Sequence, residues 1–203
     1  MGEYEEMTSN KKRYYFAYGS NLNIEQMLAR CPGAEIVGWA ELKGHELLFK
    51  GSRRGSFLTV EPGEGSVWIG VWSITAEDEH ALDRYEGVPK FYEKREIALD
   101  VHLVPTPRPH PTTYRAHCTV RDVSALTSAS ALAIYGEEST ETLKGLIYVM
   151  TAGRRPYIPS RRFETYAEGF EAFGFPLADL SDAWAPGLPL SAAGFESHRY
   201  KKD

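Results

Sequence analysis

Apolar residues first cluster at Tyr14-Tyr15-Phe16-Ala17-Tyr18, an aromatic-rich run that Gly19 ends. Such a run, closed by a turn residue, predicts a short buried strand. Ser20, Asn21 and Asn23 are all good helix N-caps, and Ile24, Met27 and Leu28 then recur at helical spacing as far as Pro32. The opening unit reads as strand, tight polar turn and short helix. Between residues 34 and 74 the apolar runs are Ile36-Val37-Gly38-Trp39, Leu47-Leu48-Phe49, Phe57-Leu58-Thr59-Val60 and Val67-Trp68-Ile69-Gly70-Val71-Trp72. These are expected to be separate strands, with turns at Gly51-Ser52 and Pro62-Gly63-Glu64-Gly65.

Thr75 then caps a helix, with Asp78 at the capping-box position and Ala81, Leu82 and Tyr85 as the apolar face. Gly87 suits the residue that ends it, and Pro89 prevents continuation. Residues 92–104 alternate loosely and read as a strand; residues 143–150 read as another. Ser160 is expected to cap a last helix with Phe163, Tyr166, Phe170 and Phe173 on one face. Strands dominate and helices are few and short, which predicts an α+β arrangement: a small mixed sheet or barrel with helices on one side.

Pro105, Pro107, Pro109 and Pro111 and a Ser/Thr/Ala-rich stretch mark residues 105–141 as an extended insertion, with a short helix expected near 125–134. Residues 1–12 read as a disordered leader, 13–177 as a single domain carrying the insertion, and 178–203 as a loose tail. A length of 203 residues suits one domain, and 42% hydrophobic with 25% charged residues excludes a wholly disordered chain.

The net charge of −5 argues against nucleic acid as a partner. No apolar run reaches the length of a membrane span and the leader has no signal-like apolar stretch, so no membrane partner is expected and cytoplasmic location is the default. A homodimer is compatible with the sequence. Cys31 and Cys118 do not make a disulfide framework. His102, His110, His117 and Cys118 match no standard zinc spacing, so no metal is expected.

Two segments carry candidate chemistry. At Phe16-Ala17-Tyr18-Gly19-Ser20-Asn21-Leu22 a strand ends in a glycine turn that opens a helix. Gly19 permits an unusual backbone angle and close approach of a ligand, and amides at a helix start face outward and favour an anion. The plainer reading of the same residues is a capped helix with no ligand. At Leu82-Asp83-Arg84-Tyr85-Glu86-Gly87-Val88, Glu86 lies in the last turn of a helix. The partial negative charge there, with burial beside Tyr85, Val88 or Tyr92, would raise its pKa toward neutrality, as a proton shuttle needs. The plainer reading is an exposed helix-end glutamate.

Taken together, the segments resemble the γ-glutamylcyclotransferase family. The match runs from Tyr-Phe-Ala-Tyr-Gly-Ser-Asn-Leu at 15–22, through Val-Trp-x-Ile at 71–74 and Leu-Asp-x-x-Glu-Gly-Val at 82–88, to Tyr92 and Tyr148-Val149-Met150. Pro159-Ser160-x-x-Phe163 and Gly174-Phe175-Pro176-Leu177 follow. The resemblance implies a small β-barrel-like fold with flanking helices. It implies that Tyr18, Gly19, Ser20, Asn21 and Leu22 line the site for a γ-glutamyl head group, that Tyr92 and Tyr148 are pocket residues, and that Glu86 is the general acid/base. The implied reaction closes the γ-glutamyl group to 5-oxoproline and releases an amine or amino acid, with no cofactor or metal. A binding module on the same fold, or γ-glutamyl deprotection of a biosynthetic intermediate, are the alternatives. Phe163 departs from the family's usual tyrosine, and Arg154, Arg155, Arg161 and Arg162 are either a leaving-group anion site or a solvated basic surface.

Overall fold

The computed structural model describes residues 12–52, 55–104, 139–156 and 163–183. Six strands are present among them: β1 (Arg13–Ala17), β2 (Glu35–Ser52), β3 (Gly55–Ile74), β4 (Tyr92–Leu103), β5 (Ser139–Met150) and β6 (Arg155–Pro156). The helices are α1 (Ile24–Arg30), α2 (Ala76–Glu86), α3 (Phe163–Phe173) and α4 (Leu177–Asp182), with a 3-10 turn at Ser20–Leu22.

β1 lies antiparallel to β3 and parallel to β5; β5 pairs antiparallel with β4, and β4 with β2. The antiparallel β2–β3 pair closes the ring, so five strands form a barrel and β6 extends the far end of β2. Closure leaves no free edge along the barrel wall. The α+β class and the barrel-like sheet with short flanking helices are as the sequence suggests.

The four runs expected between 34 and 74 are two long strands. Pro62-Gly63-Glu64-Gly65 does not break β3. The register instead shifts between Lys43 and His45, where Gly44 takes φ +71°. Such a bulge absorbs unmatched residues and bends the pair without ending it. Beyond the bulge the hairpin continues as an arm whose Phe49 N–H donates to the Ala183 carbonyl (3.0 Å). β5 likewise begins earlier than expected, at Ser139 against Leu103. Residues 178–183, read from sequence as the start of the tail, fold as α4 and its end, with Leu180 and Ala183 buried. The helix expected near 125–134 and the Ser160 cap lie outside the described residues.

Local capping is as expected. Asn23 caps α1, accepting from the Gln26 N–H (3.0 Å). Thr75 and Asp78 form a reciprocal capping box at the start of α2, and Gly87 closes its other end at φ +66°. α3 buries Tyr166, Phe170 and Phe173, and Trp72 of β3 meets Phe173 edge-on at 5.9 Å. Tyr85 leaves the expected apolar face of α2 and is 41% exposed; Leu82 carries the burial.

Leu22 is fully buried where α3 crosses β3. A Cβ on Gly70 would stand 2.5 Å from Leu22 Cδ2 and 2.7 Å from the Phe173 ring. Gly70→Ala is therefore expected to destabilise the protein by about 1–3 kcal/mol through overpacking, read from chemical denaturation midpoints.

Candidate active site

A cavity of about 310 Å³ opens where the end of β1, the 3-10 turn and the end of α2 converge. Tyr18, Gly19, Ser20, Asn21, Glu86, Tyr92 and Tyr148 line it, seven of the eight residues singled out from sequence. Leu22 does not: its side chain lies in the core beneath the turn. The reason is periodicity, since one residue further along the turn the chain faces α3 rather than the pocket.

Gly19 is not in an unusual left-handed conformation; its φ is −122°. A Cβ there would meet Leu58 and Tyr166 at 3.8 Å, an ordinary contact, and both residues line the cavity. The lack of a side chain thus leaves pocket space. The turn's first internal bond runs from Leu22 N–H to the Gly19 carbonyl (2.9 Å), so the Ser20 and Asn21 amides precede it and have no partner inside the turn.

Glu86 is the last residue of α2, between its side-chain partners and the Gly87 cap. Its carboxyl is pushed up to about 7 from an ordinary value of 4.5. Burial is the main cause; the Asn21 hydrogen bond and the Arg30 charge pull the other way. Asn21 Nδ2 donates to Glu86 Oε1 (2.9 Å) and to the Tyr15 hydroxyl (2.8 Å). Asn21 Oδ1 accepts from Arg30 Nη1 (2.5 Å). Arg30 also donates to Gln26 Oε1 (2.6 Å) and the Tyr85 hydroxyl (2.7 Å).

The pocket tyrosines are individually tethered. Tyr18 donates to the Tyr148 carbonyl (2.5 Å), Tyr92 to the Leu58 carbonyl (2.7 Å) and Tyr148 to Asp83 Oδ1 (2.7 Å). Asp83 Oδ2 pairs with Lys94 (2.8 Å), and Lys94 reaches Glu79 (2.6 Å), so α2 is anchored to β4 next to the site. Burial pushes Asp83 up, but the Lys94 and Tyr148 hydrogen bonds outweigh it and hold the carboxyl below its usual range.

Several lining residues were not singled out from sequence. Tyr15 enters the sequence reading only as a strand and motif position, Phe57 only as strand and Tyr166 only as part of an apolar helix face, while Phe91 carries no expectation; Arg30 is a further partner beneath the pocket floor. The i, i+4 spacing of Gln26 and Arg30 was the available signal for the latter. Tyr166 sits three residues after Phe163, so α3 still presents a tyrosine to the pocket although position 163 lacks its hydroxyl. Of the basic residues flanking the Pro-Ser motif, Arg154 lies 4.1 Å over the ring of Phe91 at the pocket rim. Arg155 pairs with Gly51 in the sheet, and Arg161 and Arg162 lie outside the described residues. His102 stacks on Trp39 at 4.0 Å, away from the pocket. No group of three or more His, Cys, Asp or Glu placed to hold a metal occurs among the described residues, and none of their helices is long and apolar enough to cross a membrane.

The family model for gamma-glutamyl cyclotransferase, AIG2-like, matches residues 15–121, which include both motif segments. The gamma-glutamylcyclotransferase of Homo sapiens is 36% identical over 83 residues, covering 36% of this chain and 44% of the human protein. That of Bos taurus is 35% identical over the same length and shares. The chain thus spans less than half the length of these curated relatives. A solved gamma-glutamyl cyclotransferase superposes with a TM-score of 0.55 at 21% identity, over 89% of this chain and 92% of that one. YkqA from Bacillus subtilis gives 0.56 at 18% identity, over 87% of this chain and 54% of its own. These two likenesses concern the fold. With the matched segment covering more than half of the 203 residues, the chain belongs to the gamma-glutamyl cyclotransferase, AIG2-like family.

Proposed function

We propose that this protein cyclises the γ-glutamyl group of a small γ-glutamyl amine, amino acid or peptide to 5-oxoproline, with Glu86 as general acid/base. The observation that carries the reading is a partly buried carboxyl, raised to about 7, opening into a pocket beside the Gly19-Ser20-Asn21 turn. A group balanced near neutrality can both take and return a proton.

In this reading the head group's carboxylate lies against the Ser20 and Asn21 amides, which have no partner inside the turn. Glu86 in its ionised form accepts a proton from the substrate's α-ammonium. The freed amine nitrogen attacks the γ-carbonyl carbon, the ring C–N bond forms, and the carbonyl π pair moves to oxygen. As the carbonyl re-forms, the bond to the leaving nitrogen breaks and Glu86 returns the proton to it; the second proton of the ring nitrogen then passes through Glu86 to the released amine, which departs as its ammonium and leaves the neutral lactam. Atoms balance without a covalent enzyme intermediate. Holding amine and carbonyl together can supply about 7–11 kcal/mol at best. Tyr18, Tyr92 and Tyr148, whose hydroxyl protons are tethered to protein acceptors, provide walls of fixed orientation.

The test is 5-oxoproline release from a panel of γ-glutamyl amines, γ-glutamyl amino acids and glutathione. Turnover by the wild type, and none by a folded Glu86→Gln, is expected. Retained turnover in Glu86→Gln removes Glu86 from the mechanism; binding without product from the wild type points to a binding module instead.

Because Glu86 must be ionised to accept the proton, kcat/KM is expected to rise with pH and level off above a limb near 7. A limb near 4.5 would mean that burial does not act on this group. The same shift links to stability. A carboxyl raised in the fold contributes stability that is fully present below its unfolded value and lost as pH rises through about 7. Urea denaturation at pH 5 and pH 8 should therefore show a smaller loss of stability with rising pH in Glu86→Gln than in the wild type.

A further inference from the structure

The donors and acceptors around Glu86 are fixed by one residue that cannot change sides. The Arg30 guanidinium has only N–H groups, so the Asn21 atom it meets must be the amide oxygen. That leaves the Asn21 NH2 pointing at Tyr15 and Glu86, with both protons committed. Asn21 is 3% exposed, and its side chain therefore has no proton left for a substrate. The Tyr15 oxygen, as the receiver of one of these bonds, keeps its own proton. Among the described residues none accepts it, and Tyr15 lines the cavity. Tyr18, Tyr92 and Tyr148 differ, having given their protons to the Tyr148 carbonyl, the Leu58 carbonyl and Asp83.

Resting on the cyclisation reading above, we propose that Tyr15 is a further catalytic residue, its hydroxyl donating to the γ-carbonyl oxygen of the substrate as negative charge builds there, with Asn21 and Arg30 as the residues that position it. No proton is transferred in this contact. The π pair that moves to oxygen when the amine attacks is held by the O–H until the leaving nitrogen departs. Tyr15 suits the role because burial, and after it the Glu86 charge, push its phenol well above the usual value, so the proton stays on. A donor oriented before the reaction in a water-poor site is worth far more than one in solution. Glu86 and Tyr15 share one Asn21 nitrogen as donor, which places the proton acceptor and the carbonyl donor on the same side of the pocket.

The experiment measures kcat, KM and the pH profile of kcat/KM for the wild type, Tyr15→Phe and Arg30→Met on the panel member turned over fastest. Tyr15→Phe is expected to lower kcat about 100-fold with KM little changed, and to leave the acid limb in place, since Tyr15 is not among the groups that shift Glu86. Arg30→Met is expected to move that limb to higher pH, because the charge pulling Glu86 down is gone, and to lower plateau kcat as the amide becomes free to flip. A folded Tyr15→Phe with kcat within about twofold of the wild type overturns the proposal while leaving the cyclisation reading standing. A wild type without turnover on any panel member overturns both. If Tyr15→Phe does not fold, 3-fluorotyrosine at position 15 keeps the shape with a stronger donor; a rise in kcat is expected, and no change overturns the assignment.

Discussion

The side chain of Asn21 joins elements that are remote in sequence. It meets Tyr15 six residues before it, Arg30 nine residues after it, and Glu86 65 residues away. Arg30 can only donate, so the amide has a single orientation, and the carboxyl of Glu86 always faces an N–H rather than a carbonyl. Burial alone would push Glu86 up, while this N–H and the Arg30 charge favour its ionised form. The result of that opposition is a group poised near neutral pH. Reversing the amide would set two oxygens against each other at the pocket floor, which is why the positive charge of Arg30 on the other side of Asn21 matters to the site.

The barrel makes this meeting possible. β1 is short, is paired on both sides by β3 and β5, and delivers the glycine turn at its end to a fixed place. α2 follows β3 directly and is held by the Thr75–Asp78 capping box at its start and Gly87 at its end. Lys94 ties its Asp83 and Glu79 to β4. A helix clamped at both ends and along one side carries Glu86 to the same point each time. Exposed ion pairs add little stability by themselves; here their effect is on orientation, because Asp83 also fixes the Tyr148 hydroxyl.

Membership of the gamma-glutamyl cyclotransferase, AIG2-like family and the barrel agree with each other. A fold hosts different chemistries through its sites, so what this pocket accepts depends on the residues that border it rather than on the barrel. The rim here is aromatic, with Tyr85 and Phe91 both partly exposed, and each carries an arginine across its ring face: Arg30 at 3.7 Å and Arg154 at 4.1 Å.

Features governed by near neighbours were legible in the chain itself. Asn23 caps α1, Thr75 and Asp78 box the start of α2, Gly87 ends it, and the apolar run at 14–18 forms a strand, because each depends on groups within a few residues. The two motif segments likewise pointed to the pocket and to Glu86. What only the folded chain decided is whatever depends on distant partners. Pro62-Gly63-Glu64-Gly65 reads as a turn, yet pairing with β2 across a bulge carries the strand through it. Leu22 belongs to the motif but faces α3 and the core, whereas Tyr166, which looked like core, reaches the cavity. The raised pKa of Glu86 and the Asn21 hydrogen bond to the Tyr15 hydroxyl follow from burial and from contacts between β1, α1 and α2. Local hydrogen bonds are encoded in a few adjacent residues, but desolvation and the direction of a buried amide exist only once the elements have closed around them.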